Sequence, residues 1–200
     1  MASADWSDAR RRRLRDERVV SITRRLDETL VTDLAAELWS LDALGDEPIT
    51  ILCSIDGGTI AATATLLDVL DVIGVDIHLV CVGAIVGPPV ALLAGATRRL
   101  AAPHARLVLR DGREEFRGSY RDLEESAARF QAQRRQLFER LAESTGGRRS
   151  LGDVLADFER GLGLSAEEAL RYGIIDEIAT TRSRVVPLPR PAPGFGFSQP

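Results

Sequence analysis

Lysine and asparagine are absent from this 200-residue chain, and histidine and cysteine occur only twice each. Arginine therefore supplies all 26 basic residues, a mark of codon usage in a GC-rich genome rather than of chemistry. The two cysteines, Cys53 and Cys81, lie in apolar runs and give no basis for a disulfide framework; they read as small buried thiols. Against 30 acidic residues the arginines leave a formal charge of -4, so no bulk field directs the chain to nucleic acid or to an anionic membrane. No apolar run approaches the roughly 20 residues of a membrane span, and the N-terminus has no apolar signal core. A cytoplasmic location is expected, with no cofactor and no metal site.

What is present is enough apolar sequence for one core. The length bounds the chain to one globular domain, expected over residues 18–180, with a polar N-terminal arm at 1–17 and a Pro- and Gly-rich tail at 181–200. The arm carries a run of arginines at 10–13, which reads as a solvated segment.

Short apolar runs alternate with longer amphipathic ones. Residues 19–22, 49–53, 77–82, 106–109 and 174–178 read as strands. Helices are predicted at 27–44, where Leu30, Leu34, Leu38 and Leu41 recur at helical spacing, and at 60–73, 120–145 and 151–158. Ser165 and Glu168 form a capping-box pattern that opens a helix running to Tyr172. Alternation of this kind argues for an α/β fold of right-handed crossovers. The helix at 120–145 is longer than a small core needs and is expected to project.

Two turns carry the chemistry. Residues 54–59 (SIDGGT) link a strand to a helix through Gly57 and Gly58, whose backbone can approach a ligand closely. The same pair also suits a turn that simply needs glycine. Residues 81–95 (CVGAIVGPPVALLAG) pass from a strand through Gly83 and Gly87 to an apolar helix opened by Pro88 and Pro89. Hydrolases place a nucleophile at such an elbow, and this chain has Val86 and Gly87 there.

Taken in order, SIDGG, CVGAIVGPPVALLAGA, PHARLVLR and LSAEEALRYGIIDEIA resemble the motifs of the Clp protease proteolytic subunit family over roughly residues 18–179. The resemblance implies the Clp protease/crotonase-like fold, an α/β architecture of stacked βαβ units with a projecting helical handle. It also implies assembly into heptameric rings stacked as a barrel, either with itself or with catalytic Clp proteolytic subunits. A Clp ATPase is the further implied partner. Gly194-Phe195-Gly196-Phe197 in the tail shares the apolar-Gly-Phe character of the loops by which such ATPases dock.

The family's Ser-His-Asp triad has no counterpart here. Its nucleophile position falls on Gly87 or Val86, depending on where a one-residue gap is set. Its histidine position falls on Arg110, which stays protonated and cannot act as a base. Its aspartate position falls on Gly161. Pro88 lacks an N–H for the oxyanion hole, the Gly57-Gly58 turn is flanked by Asp56, whose charge would oppose an oxyanion, and Glu114-Glu115 stand where the family aligns substrate through a glycine pair. Of the two histidines, His104 lies about 20 Å along the chain from the required position. Glu159 and Arg160 match the family's ring-to-ring contact residues. The expected function is that of a non-catalytic subunit of a Clp barrel. The alternatives are an acyl-coenzyme A enzyme of the related crotonase superfamily, with Asp56 as its acid, and a homo-oligomeric scaffold.

Overall fold

The continuous apolar runs become buried parallel strands. A computed structural model describes residues 14–112 and 118–180; the arginine run at 10–13, the Glu114-Glu115 pair and the tail with its Gly-Phe repeat lie outside the described residues. Strands β1 (Val19–Ile22), β2 (Ile49–Ile55) and β3 (Ile77–Val86) lie side by side in parallel, with Cys53 opposite Cys81. Burial raises both thiols, that of Cys81 to about 12, so both stay protonated at neutral pH. The crossovers are α1 (Glu28–Asp42) and α2 (Ile60–Val72). Asp27 caps the first by accepting from the Leu30 N–H at 2.8 Å, and Thr59 caps the second by accepting from the Ala62 N–H at 3.0 Å.

Strand β3 runs beyond the predicted 77–82 because it changes partner midway. Its first half pairs with β4 (Arg98–Ala101) and its second half with β5 (Arg106–Leu109), both in parallel. Gly83 sits at the changeover with φ 98°, where a Cβ would also come within 2.9 Å of Ser54 Oγ. β6 (Leu162–Ser165) adds antiparallel to β5, and the two-residue β7 (Glu177–Ile178) extends the main sheet beyond β4. Neither β4 nor β6 is predicted from the sequence. The strand predicted at 174–178 contracts to β7, because Ile174 and Ile175 point their burial into the core rather than joining the ladder.

Between β3 and β4 the elbow continues as a 3₁₀ helix, Pro88–Gly95, buried from Pro88 through Leu93. The long helix α3 (Tyr120–Ser144) buries only Leu137, Phe138, Leu141 and Ala142; Tyr120 at its start is 76% exposed, so the N-terminal half stands away from the core as a handle. Helices α4 (Leu151–Arg160) and α5 (Ala166–Tyr172) follow. The capping box at Ser165–Glu168 forms as predicted, and Ser119–Asp122 and Ser150–Asp153 use the same device with aspartate. The structure is a mixed α/β fold on a mostly parallel sheet, as the sequence predicts.

The sheet's far edge is tied down by charge. Asp176 accepts from the Arg99 N–H at 2.9 Å and from Arg99 Nε at 3.0 Å, while Arg99 Nη1 donates to the carbonyls of Ser144 and Gly173. Burial works against ionisation of Asp176, but the hydrogen bonds from Arg99 outweigh it and hold the carboxyl below its ordinary value. A depressed carboxyl stabilises the fold above its unfolded pKa of about 4 and loses that contribution as pH falls through the lower native value. Asp176→Asn is therefore expected to lower stability at neutral pH and to flatten the acid limb of a urea-midpoint-against-pH curve. An unchanged acid limb would contradict this.

Candidate functional site

Three neighbouring strand ends converge on one cleft. Val86 is the last residue of β3 and pairs with Val108, and Gly87 follows it, donating its N–H to the Val108 carbonyl at 2.8 Å. Arg110 lies one residue past β5 and Gly161 one residue before β6. The antiparallel register, with Leu109 opposite Leu162, carries Arg110 and Gly161 to opposed positions. Residues scattered over 75 positions of sequence are thus brought to adjacent ends of β3, β5 and β6, about 5 Å apart strand to strand.

Gly87 is the bend itself. Its φ of 75° and ψ of -149° fall in a region open essentially to glycine, and a Cβ there would lie 3.3 Å from the Arg110 carbonyl oxygen. Gly161 closes α4 in the left-handed conformation, with no atom within 4 Å of where its Cβ would be. Gly57 and Gly58 form the facing wall. Leu26 donates its N–H to the Gly57 carbonyl at 2.9 Å, and a Cβ on Gly58 would lie 2.7 Å from Pro89 Cγ, so the turn is clamped between the first crossover and the elbow.

Gly87 and the Gly57-Gly58 turn, together with Pro88, Phe158 and Gly112, line a cleft of about 660 Å³. Gly57, Gly58, Val86, Gly87 and Arg110 all line it, as does Glu159. Gly161 and Arg160 do not; Arg160 turns to Asp157, which it meets at 2.5 Å. Ser54 and Ser165 lie elsewhere, the second as a helix cap. His104 is exposed in the turn between β4 and β5, and His78 is in β3 beside Arg98, where burial and then the arginine charge lower its pKa. No serine, threonine, cysteine or histidine is among the described residues that line the cleft.

Two features of the cleft differ from the sequence reading. Asp56 is exposed and does not line the cleft. The charge beside the turn is Arg25, whose Nη1 would lie 2.7 Å from a Cβ on Gly57. The bridge between Leu26 and Gly58 carries Arg25 there. No local pattern marks this arginine among 26, and only the non-local pairing reveals it.

The floor of the cleft is ionic. Arg134 on α3 grips Asp111 with two hydrogen bonds, at 2.9 and 2.8 Å, and reaches Glu159 at 3.4 Å. The Asp111 bond is the main reason that its guanidinium is held even more firmly protonated than usual. Asp111 also donates its N–H to the Phe158 carbonyl at 3.2 Å. This network joins the handle helix, the end of β5 and the end of α4.

A mostly parallel sheet whose third strand ends in a glycine elbow over a glycine turn, with an antiparallel strand pair alongside and a helical handle, defines the Clp protease/crotonase class of fold. The Clp protease family profile matches residues 2–182, and the chain belongs to that family. It is 32% identical over 174 residues to the ATP-dependent Clp protease proteolytic subunit 1 of Thermobifida fusca, covering 85% of this chain and 78% of that protein. It is 33% identical to proteolytic subunit 2 of Streptomyces coelicolor, covering 85% and 79%, and 31% identical to proteolytic subunit 2 of Mycobacterium bovis, covering 85% and 81%.

Proposed function

We propose that this chain is a non-catalytic subunit of a Clp-type barrel, assembling with itself or with catalytic proteolytic subunits and binding peptide without cutting it. One observation carries the reading: at the converging ends of β3, β5 and β6 stand Gly87, Arg110 and Gly161, none of which can attack a carbonyl, take a proton near neutral pH or orient a base. Loss of the nucleophile alone costs a serine hydrolase about a million-fold in kcat. The residual rate in such variants comes from the oxyanion hole, and Pro88 withholds an N–H next to the elbow. Glu159 and Arg160, with side chains 65% and 62% exposed, remain accessible to a neighbouring subunit. The crotonase alternative leans on Asp56, which lies away from the cleft.

The mass of the assembled complex, measured on the chain alone and with an active paralogue, tests the assembly. A monomer that never enters a mixed ring would overturn it. Catalysis is tested with a fluorogenic peptide and a serine-reactive phosphonate, and neither turnover nor labelling is expected. Gly87→Ser alone is expected to remain inactive and to cost about 1–3 kcal/mol, because the new side chain takes up a strained backbone conformation beside a residue that cannot act as a base. Measurable turnover by this single variant would contradict the reading.

A further inference from the structure

We propose that the cleft binds a peptide by its free C-terminal carboxylate, held between Arg25 and Arg110. This rests on the subunit reading, since active neighbours in a barrel release peptides that end in a new carboxylate.

The argument begins with charge. Among the described residues, Arg25 and Arg110 line the cleft together with Asp111 and Glu159, and Arg134 reaches both carboxylates from α3. Both carboxylates are committed to Arg134, and the Asp111 pair is bidentate. Arg25 and Arg110 have no hydrogen-bond or ion-pair partner among the described residues. Among the described residues the cleft therefore presents two guanidinium forks without a partner, while its two carboxylates are answered by Arg134. Guanidiniums left without a carboxylate partner favour an incoming anion. Arginine's planar fork also suits the two coplanar oxygens of a carboxylate.

Geometry adds a second argument. Arg25 Nη1 stands against Gly57, at 2.7 Å from where a Cβ would be, so a group seated on the glycine turn meets a guanidinium as well as backbone. Across the cleft, Arg110 occupies the strand end next to Gly87. The carboxylate sits between these walls, and the chain preceding it leaves along the cleft. No bond is made or broken.

The test uses the full-length chain and a fluorescein-labelled, alanine-rich hexapeptide, prepared once with a free C-terminal acid and once as the amide, with binding read by anisotropy. The acid is expected to bind about tenfold tighter than the amide, with the difference shrinking as salt is added. Arg25→Gln and Arg110→Gln, both at exposed side chains, are each expected to remove most of that preference while leaving the circular dichroism spectrum unchanged. Equal binding of acid and amide, or no binding of either, would overturn the proposal. Inorganic phosphate that competes more tightly than the acid peptide would overturn the carboxylate assignment. The assembly measurement is separate: mixed rings that bind acid and amide alike would sink this inference and leave the subunit reading intact, and a monomer that prefers the acid would do the reverse.

Discussion

Phe158→Ala is expected to lower stability by about 3–5 kcal/mol. Phe158 is fully buried and stacks on Phe138 with ring centroids 3.9 Å apart, so its ring joins α4 to the core end of the handle helix. Removing it leaves a cavity between the two helices. The guanidinium of Arg134 lies 5.3 Å from the Phe138 ring, and the Phe158 carbonyl accepts from Asp111. The cavity would thus open beside the ionic floor of the cleft. Urea unfolding followed by circular dichroism measures the loss, with Phe158→Leu as a milder control; a loss below about 1 kcal/mol for the alanine variant would show that the site relaxes.

The two glycines of the facing turn are expected to behave very differently. In Gly58→Ala the new methyl would lie 2.7 Å from Pro89 Cγ, 2.9 Å from Leu26 Cβ and 3.1 Å from the Leu26 carbonyl oxygen. A proline ring and backbone cannot swing aside, and Leu26 is wholly buried. Overpacking there is expected to cost about 2–3 kcal/mol. In Gly57→Ala the close atom is the end of the flexible Arg25 side chain, at 2.7 Å, so the stability change should stay within about 0.5 kcal/mol. The same substitution displaces Arg25 from the turn and is expected to weaken acid-peptide binding. Equal thermal stability of the two variants would show that the elbow is not clamped on Gly58.

Much of the fold is legible in the sequence where a signal is local. Residues 49–53 and 77–82 are apolar but for Thr50 and His78 and became central strands, and Leu30, Leu34 and Leu38 line the buried side of α1. β4 was not legible. Its sequence, RRLA, has no strand-like alternation, and its place comes from β3 on one side and from Glu177 and Asp176, nearly eighty residues later, pairing with Arg98 and Arg99 on the other. The 3₁₀ form of Pro88–Gly95 was equally hidden, because a segment buried on all sides takes its shape from its neighbours rather than from its own propensity.

The site divides in the same way. The sequence alone determined which residues occupy the elbow, the strand end after it and the glycine turn, and hence which chemistry these positions lack. Only the tertiary structure decided that Gly87, Arg110 and Gly161 stand at adjacent strand ends, that Asp56 lies outside the cleft and that Arg25 takes the place beside Gly57. The reason is register: a strand's partner and its offset are set by hydrogen bonds between segments far apart in the chain, and a side chain's face follows from that offset. Motifs fix the residue types, and the ladder determines which of them meet.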